Sequence, residues 1–121
     1  LSTMLYHKRF FPYYTFNVLA GVDSKGVGGV YVYDAIGSHE RVPYAANGSG
    51  GHQVTSVLDS QVAKTNQLIP GNPLDKVDTI NIMKDSITSV GERDIMTGDQ
   101  AEIFVMDAAG TNRTLMDLKK D

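Results

Sequence analysis

The order of apolar segments along this chain predicts an α+β fold built on antiparallel strands. Three strand-like runs, 15–22, 27–33 and 40–46, follow one another through short turns that contain glycine. Two stretches with apolar residues at helical spacing come next, and two further strand-like runs, 101–106 and 112–118, close the sequence. Joins this short imply antiparallel neighbours, because a parallel pair needs a crossover of a dozen or more residues. Strands grouped together and helices grouped together mark α+β, not the alternating βαβ order of nucleotide folds.

The first element is the tail of a helix over Leu1 to Phe11. Pro12 stops it, since proline lacks an N–H and clashes with the preceding turn. Four aromatics, Phe10, Phe11, Tyr13 and Tyr14, crowd around that proline directly after Lys8-Arg9. Thr15 to Val22 then reads as a buried strand. Asp23-Ser24-Lys25-Gly26 is a turn with glycine where positive φ is cheap. Val27 to Tyr33 returns as the second strand, weakened by Gly28-Gly29. Its alternation puts Tyr31 and Tyr33 on one face and Val30 and Val32 on the other. Asp34-Ala35-Ile36-Gly37-Ser38 is the next turn. Glu40 to Ala46 is a short third strand, with Pro43 marking an edge or an irregularity.

Asn47-Gly48-Ser49-Gly50-Gly51 opens a helix from Gly50 to Asn66, with Val54, Val57, Leu58 and Val62 at helical spacing. The loop Leu68-Ile69-Pro70-Gly71-Asn72-Pro73 ends it. Asp75 or a neighbour caps a second helix that runs to Gly91. Val77, Ile80, Met83, Ile87 and Val90 form its expected buried face. Ala101 to Met106 and Asn112 to Leu118 make a hairpin around Asp107-Ala108-Ala109-Gly110. The chain has no internal repeat and no low-complexity region. It begins without Met or a helix cap, so residues 1–121 are expected to be a single partial domain of a larger protein.

Composition narrows the function. With 121 residues, 41% of them hydrophobic, the chain is one domain or part of one. A formal net charge of −3 argues against a nucleic-acid partner, which calls for a basic patch. The pairs Lys8-Arg9 and Lys119-Lys120 read as solvated surface. There is no cysteine, hence no disulfide framework and no thiolate metal site. No apolar run approaches the roughly 20 residues that span a bilayer, and no signal-peptide pattern opens the sequence.

Most local motifs favour plain structure. Asn47-Gly48-Ser49-Gly50-Gly51 nearly matches the G-x-S-x-G elbow, but Asn47 replaces the first glycine and no hydrolase-type order surrounds it. A glycine-rich helix entrance is the better reading, although its backbone N–H groups can hold an anion. Gly21 to Gly26 has phosphate-loop glycine spacing, but Val27 stands where lysine belongs. His7, His39 and His52 lack metal-ligand spacing. Tyr13, Tyr14, Tyr31 and Tyr33 read as core and interface residues, not as a base-stacking platform. Glu92-Arg93-Asp94-Ile95-Met96-Thr97-Gly98-Asp99 is harder to dismiss. It is either a charged solvated loop or a loop that orients a neighbouring site or holds a cation.

At this point the residues resemble those of a known family, the proteasome beta subunits. The carrying residues are Arg9-Phe10-Phe11-Pro12-Tyr13-Tyr14, Gly21-Val22-Asp23 with Gly26, and Val30-Tyr31 with Asp34 and Gly37-Ser38. Leu58-Asp59-Ser60-Gln61-Val62, Glu92-Arg93-Asp94, Thr97-Gly98-Asp99 and Leu118-Lys119-Lys120-Asp121 continue the match over essentially the whole chain. The aromatic run is specific for one subtype, which occupies the sixth position of the beta ring.

The resemblance implies a four-layer αββα sandwich of the N-terminal-nucleophile hydrolases, of which this chain looks like the C-terminal half. Active members attack peptides with an N-terminal threonine helped by a lysine, both in the other half. Leu1 falls inside a helix, and the matching subtype is non-catalytic. The implied role is structural: to build the beta ring of the core particle for ATP- and ubiquitin-dependent protein degradation. The implied partners are the other alpha and beta subunits of a four-ring, twenty-eight-chain particle. Neither a nucleic acid nor a membrane is expected. The implied location is cytoplasm and nucleus.

The same resemblance carries over particular residues. In active relatives a serine, an aspartate and a second serine support the threonine, and these positions fall on Ser49, Asp94 and Thr97. In this subtype they are relics or loop staples, so no catalytic residue is expected. The loop holds a cation in several members through backbone carbonyls, here those of Gly91, Asp94 and Thr97. No cofactor is expected beyond such a structural magnesium ion. The turn after the second strand reaches the specificity pocket of the adjacent chymotrypsin-like subunit, which places Asp34 and Ser38 beside that neighbour's peptide substrate. Ala35 departs from the proline usual there, which is expected to loosen the turn. Two other readings stay open: a fragment of a catalytic threonine-peptidase subunit, and a free-standing α+β binding module.

Overall fold

The computed structural model describes residues 1–68 and 71–120. Two positions of the expected loop, Ile69 and Pro70, and the last residue of the matched C-terminal run, Asp121, lie outside the described residues. The element order is α1 (Ser2–His7), β1 (Val18–Val22), β2 (Gly28–Tyr33), β3 (His39–Val42), α2 (Gly51–Gln61), α3 (Lys76–Arg93), β4 (Gln100–Asp107) and β5 (Gly110–Asp117). This is the α+β order the sequence predicts, with antiparallel pairing in the three-stranded sheet. The chain forms two compact units: residues 1–48 with 106–110, and residues 49–105 with 111–120.

In the first unit β1, β2 and β3 form a meander in sequence order. Leu19 lies opposite Tyr31, and Tyr31 opposite Arg41, which fixes the register across all three strands. Tyr33 is buried and its ring stacks on His39, with centroids 5.0 Å apart. Strand β1 is shorter than expected. Tyr14 adopts a left-handed φ of 58°, and pairing begins only where the Asn17 carbonyl accepts the Tyr33 N–H at 2.9 Å. Strand β3 stops at Val42, because Pro43 has no N–H to give the ladder. Helix α1 ends at His7, well before Pro12, and loosens into turns in which Lys8, Arg9 and Phe11 each bond back three residues. Leu5 buries its side chain, but Phe10, Phe11, Tyr13 and Tyr14 are exposed, so the latter two tyrosines are not core residues of this chain.

One local device closes all three hairpins. Asp23-Ser24-Lys25-Gly26, Asp34-Ala35-Ile36-Gly37 and Asp107-Ala108-Ala109-Gly110 share the pattern Asp-x-x-Gly. In each, Oδ1 of the aspartate accepts the N–H two residues on, at 2.8, 3.0 and 2.9 Å. In each, the glycine takes positive φ: 80°, 92° and 138°. The carboxylate fixes the first half of the turn, and the glycine supplies the left-handed residue that rejoins the strand.

In the second unit α2 packs on α3. Leu58 and Val90 are each at most 2% exposed, and Gly51 and Gly91 are buried with them. Helix α3 starts on a capping box in which Asp75 accepts the Asp78 N–H at 2.7 Å and Asp78 reaches back to the Asp75 N–H. Helix α2 ends at Gln61, five residues before the expected Asn66. Lys64 takes a φ of 57°, and Thr65 turns both its N–H and its hydroxyl onto the Asp59 carbonyl. The expected stripe on α3 is only partly right. Val90 is buried and Ile80 and Ile87 are half-buried, whereas Val77 and Met83 are exposed. The fully buried polar residue there is Ser86, whose hydroxyl bonds the Ile82 carbonyl at 2.7 Å. Strands β4 and β5 form a two-stranded sheet across which Arg113 grips Glu102 with two nitrogens, at 2.7 and 3.3 Å. The pair is solvated and adds little to stability.

Candidate functional site

Asp94 ends helix α3. Its N–H completes the last turn on the Val90 carbonyl at 2.8 Å, and its extended backbone turns the chain outward. A carboxylate at this end of a helix faces the negative pole of the helix dipole, so it needs compensating donors. Three converge on it. Ser49 Oγ donates to Oδ2 at 2.6 Å, Thr97 Oγ1 donates to the same oxygen at 2.7 Å, and the Met96 N–H donates to Oδ1 at 3.2 Å. The Ser49 bond, then that of Thr97, then that of Met96, hold the carboxyl below its ordinary pKa of 3.8. The group is an anion with its lone pairs aimed at two hydroxyls.

Ser49 reaches this position because α2 enters through glycines. A methyl group at Gly50 would strike Val90 Cγ1 and come within 3.2 Å of Asp94 Oδ2. The absent side chain lets the start of α2 lie against the end of α3. Thr97 is held by its own N–H on the Asp94 carbonyl at 3.2 Å, so residues 94–97 form one closed turn. That carbonyl is one of the three expected to hold a cation. Groups of three or more His, Asp or Glu side chains able to hold a metal are absent among the described residues. Beside Thr97, an open cleft of about 550 Å³ runs between α3 and β4, with Met83, Ile87, Met96, Phe104 and Leu118 in its walls.

The structure thus brings together Ser49, Asp94 and Thr97, the three positions that the family resemblance singled out. It adds two participants that sequence reading missed: the Met96 N–H as a third donor, and Gly50 as the residue that permits the approach. The Gly50-Gly51 pair was the available signal for the second.

Asp34 and Ser38 lie in the β2–β3 turn and bond each other. Asp34 Oδ1 accepts the N–H of Ile36 and of Ser38, and the Asp34 N–H donates to the Ser38 carbonyl at 2.9 Å. Both bonds to the carboxylate end on Oδ1. Gly37 is fixed from two sides. Its φ is 92°, and a methyl group there would meet the Ser2 carbonyl oxygen at 2.5 Å, while Ser2 Oγ donates to the Gly37 carbonyl at 2.7 Å. The turn around Ala35 is therefore closed by its own aspartate and braced by α1.

A family model described as "Proteasome subunit" matches residues 1–106, and the chain belongs to that family. Within it, the chain is a homologue of the subunits called beta type-1. "Proteasome subunit beta type-1" of Dictyostelium discoideum is 54% identical over 123 residues, covering 100% of this chain and 52% of the relative. The rice protein of the same name is 48% identical over 126 residues, covering 100% and 57%. "Proteasome subunit beta type-6" of Saccharomyces cerevisiae is 39% identical over 130 residues, covering 100% and 54%. The chain spans about half the length of the curated relatives it matches.

Proposed function

We propose that this chain is the C-terminal portion of a non-catalytic proteasome beta subunit that builds the beta ring of the core particle. Its fold is then one part of a four-layer αββα sandwich of the N-terminal-nucleophile type. On this reading residues 1–121 are a partial domain, and the protein works in cytoplasm and nucleus beside other alpha and beta subunits. The observation that carries the reading is the mismatch between apolar content and burial. Only Leu5, Tyr33, Leu58 and Val90 are buried hydrophobics among the described residues, while Phe10, Phe11, Tyr14, Ile95 and Met96 are each 77–89% exposed. Large apolar residues left in water at this density mark surfaces that further protein covers, as obligate interfaces do.

Asp34 and Ser38 then shape the peptide pocket of the adjacent chymotrypsin-like subunit. Oδ1 of Asp34 closes its own turn, which leaves Oδ2 to accept from a substrate backbone or side chain. The backbone carbonyls of Gly91, in the last turn of α3, and of Asp94 and Thr97, in the turn that follows, are then the place for a structural magnesium ion. The test of the reading is peptide hydrolysis by particles carrying Asp34→Asn and, separately, Ser49→Ala. We expect the first to change the chymotrypsin-like preference and the second to leave every peptidase activity in place.

One observation favours a second reading, a fragment of a catalytic threonine-peptidase subunit. The hydroxyl–carboxylate–hydroxyl arrangement of Ser49, Asp94 and Thr97 has the bonding that would orient a nucleophile's amino group and relay its proton. Under that reading Ser49→Ala removes one peptidase activity of the particle.

A further inference from the structure

We propose that Asn47 is a site of spontaneous deamidation and isoaspartate formation, driven by attack of the Gly48 amide nitrogen on its side chain. Six asparagines occur in the chain, and Asn47 alone precedes glycine. The others precede Val18, Gln67, Pro73, Ile82 and Arg113, each of which places a side chain or a ring against the attacking nitrogen. Gly48 has none, and a methyl group built on it would find nothing within 4 Å.

Local structure favours the same step. Asn47 and Gly48 lie between β3 and α2, outside any helix or strand, and both are exposed. Neither residue's N–H nor the Asn47 carboxamide makes a hydrogen bond among the described residues. The nucleophile is therefore not tied to a carbonyl and the electrophile is not tied to a donor. Gly48 has a φ of 113°, a conformation reached at little cost only without a side chain. The dipeptide also sits where the first compact unit passes into the second, so no ladder or helix resists the turn that closes the ring.

The chemistry balances without any oxidant or cofactor. The Gly48 amide gives up its proton, and its nitrogen bonds to Asn47 Cγ. The Cγ–Nδ2 bond breaks, and the nitrogen leaves as ammonia with that proton. Water then opens the five-membered imide at either carbonyl. One opening leaves an ordinary aspartyl link, and the other routes the backbone through Cβ. Both add a carboxylate, and the second lengthens the chain by one bond two residues before Ser49. Deprotonation of the amide is required, so the rate rises with pH.

The test is timed incubation of the native full-length protein at neutral and mildly alkaline pH, followed by peptide mass spectrometry and enzymatic isoaspartate methylation. The expected result is a gain of one mass unit at Asn47, at least tenfold faster than at any other asparagine of this chain, and faster at the higher pH. Asn47→Gln should abolish methylation, and Asn47→Ser, which keeps a small polar residue, should do the same. The proposal is overturned if Asn47 reacts no faster than the other five, or if methylation survives both substitutions.

Discussion

Ser49 and Asp94 stand 45 residues apart in sequence, and the hydroxyl of one lies 2.6 Å from the carboxylate of the other. The bond ties the entrance of α2 to the exit of α3, and Thr97 closes on the same oxygen from within Asp94's own turn. Both hydroxyls donate to one oxygen, an arrangement that suits an ionised carboxylate.

Removing the largest of its donors should raise its pKa. In Ser49→Ala the Asp94 carboxyl is expected to titrate closer to its ordinary 3.8, as read by carboxyl-carbon NMR. A carboxyl whose folded pKa lies below its unfolded value contributes stability above the unfolded pKa, lost as pH falls through the folded one. The parent protein should therefore lose this contribution only below about pH 4, and Ser49→Ala should flatten that part of its acid unfolding curve. Equal acid curves for the two would sink the assignment.

Gly50→Ala should be costly, because the new methyl meets Val90. A loss of about 1–3 kcal/mol is expected from overpacking. The double variant Gly50→Ala with Val90→Ala should recover part of it, so the two changes are non-additive in chemical denaturation. Simple additivity would mean that the helices do not touch through these residues.

The Asp34 turn separates charge from geometry. Asp34→Asn keeps an Oδ1 acceptor for the N–H groups of Ile36 and Ser38, and should leave stability nearly unchanged. Asp34→Ala removes both bonds and should cost about 1–3 kcal/mol. Thermal unfolding of the assembled protein distinguishes them. If Asn is as damaging as Ala, the charge holds the turn and the two-bond account is wrong.

At the start of α3, Asp75→Ala should lose about 0.5–2 kcal/mol, and Asp75→Ser should retain most of the stability, since serine caps equally well. Matching losses in both, measured by denaturant unfolding, would show that the capping box is not what starts this helix.

Much of the fold was legible because its signals are local. Asp23, Asp34 and Asp107, each followed three residues later by glycine, announced every hairpin. Asp75 announced the start of α3, but β3 was read on to Ala46, past the Pro43 that ends it at Val42. The misses came where tertiary context or an atypical residue decides. The left-handed stop after α2 falls on Lys64, not on a glycine or asparagine, so the helix was read too long. Tyr14 holds a left-handed backbone that its type disfavours, which delayed β1. Val77 and Met83 have the spacing of a buried face but remain exposed, because spacing tells which residues share a face and not what packs against it. Asp94 and Thr97 were legible as one charged loop. Nothing local in Asn47–Gly51 points to a partner at Asp94; only resemblance to a family joined them. The glycine pair Gly50-Gly51 was read simply as a glycine-rich helix entrance, when Gly50 serves close approach.

The central claim is that this chain belongs in a large assembly that covers its exposed apolar residues. Native mass measurement of the species that contains it, taken from its own cells, tests this most directly. The account predicts a very large multi-subunit particle with peptidase activity, and no stable free chain. A soluble, cooperatively folded species close to 13.2 kDa would contradict it.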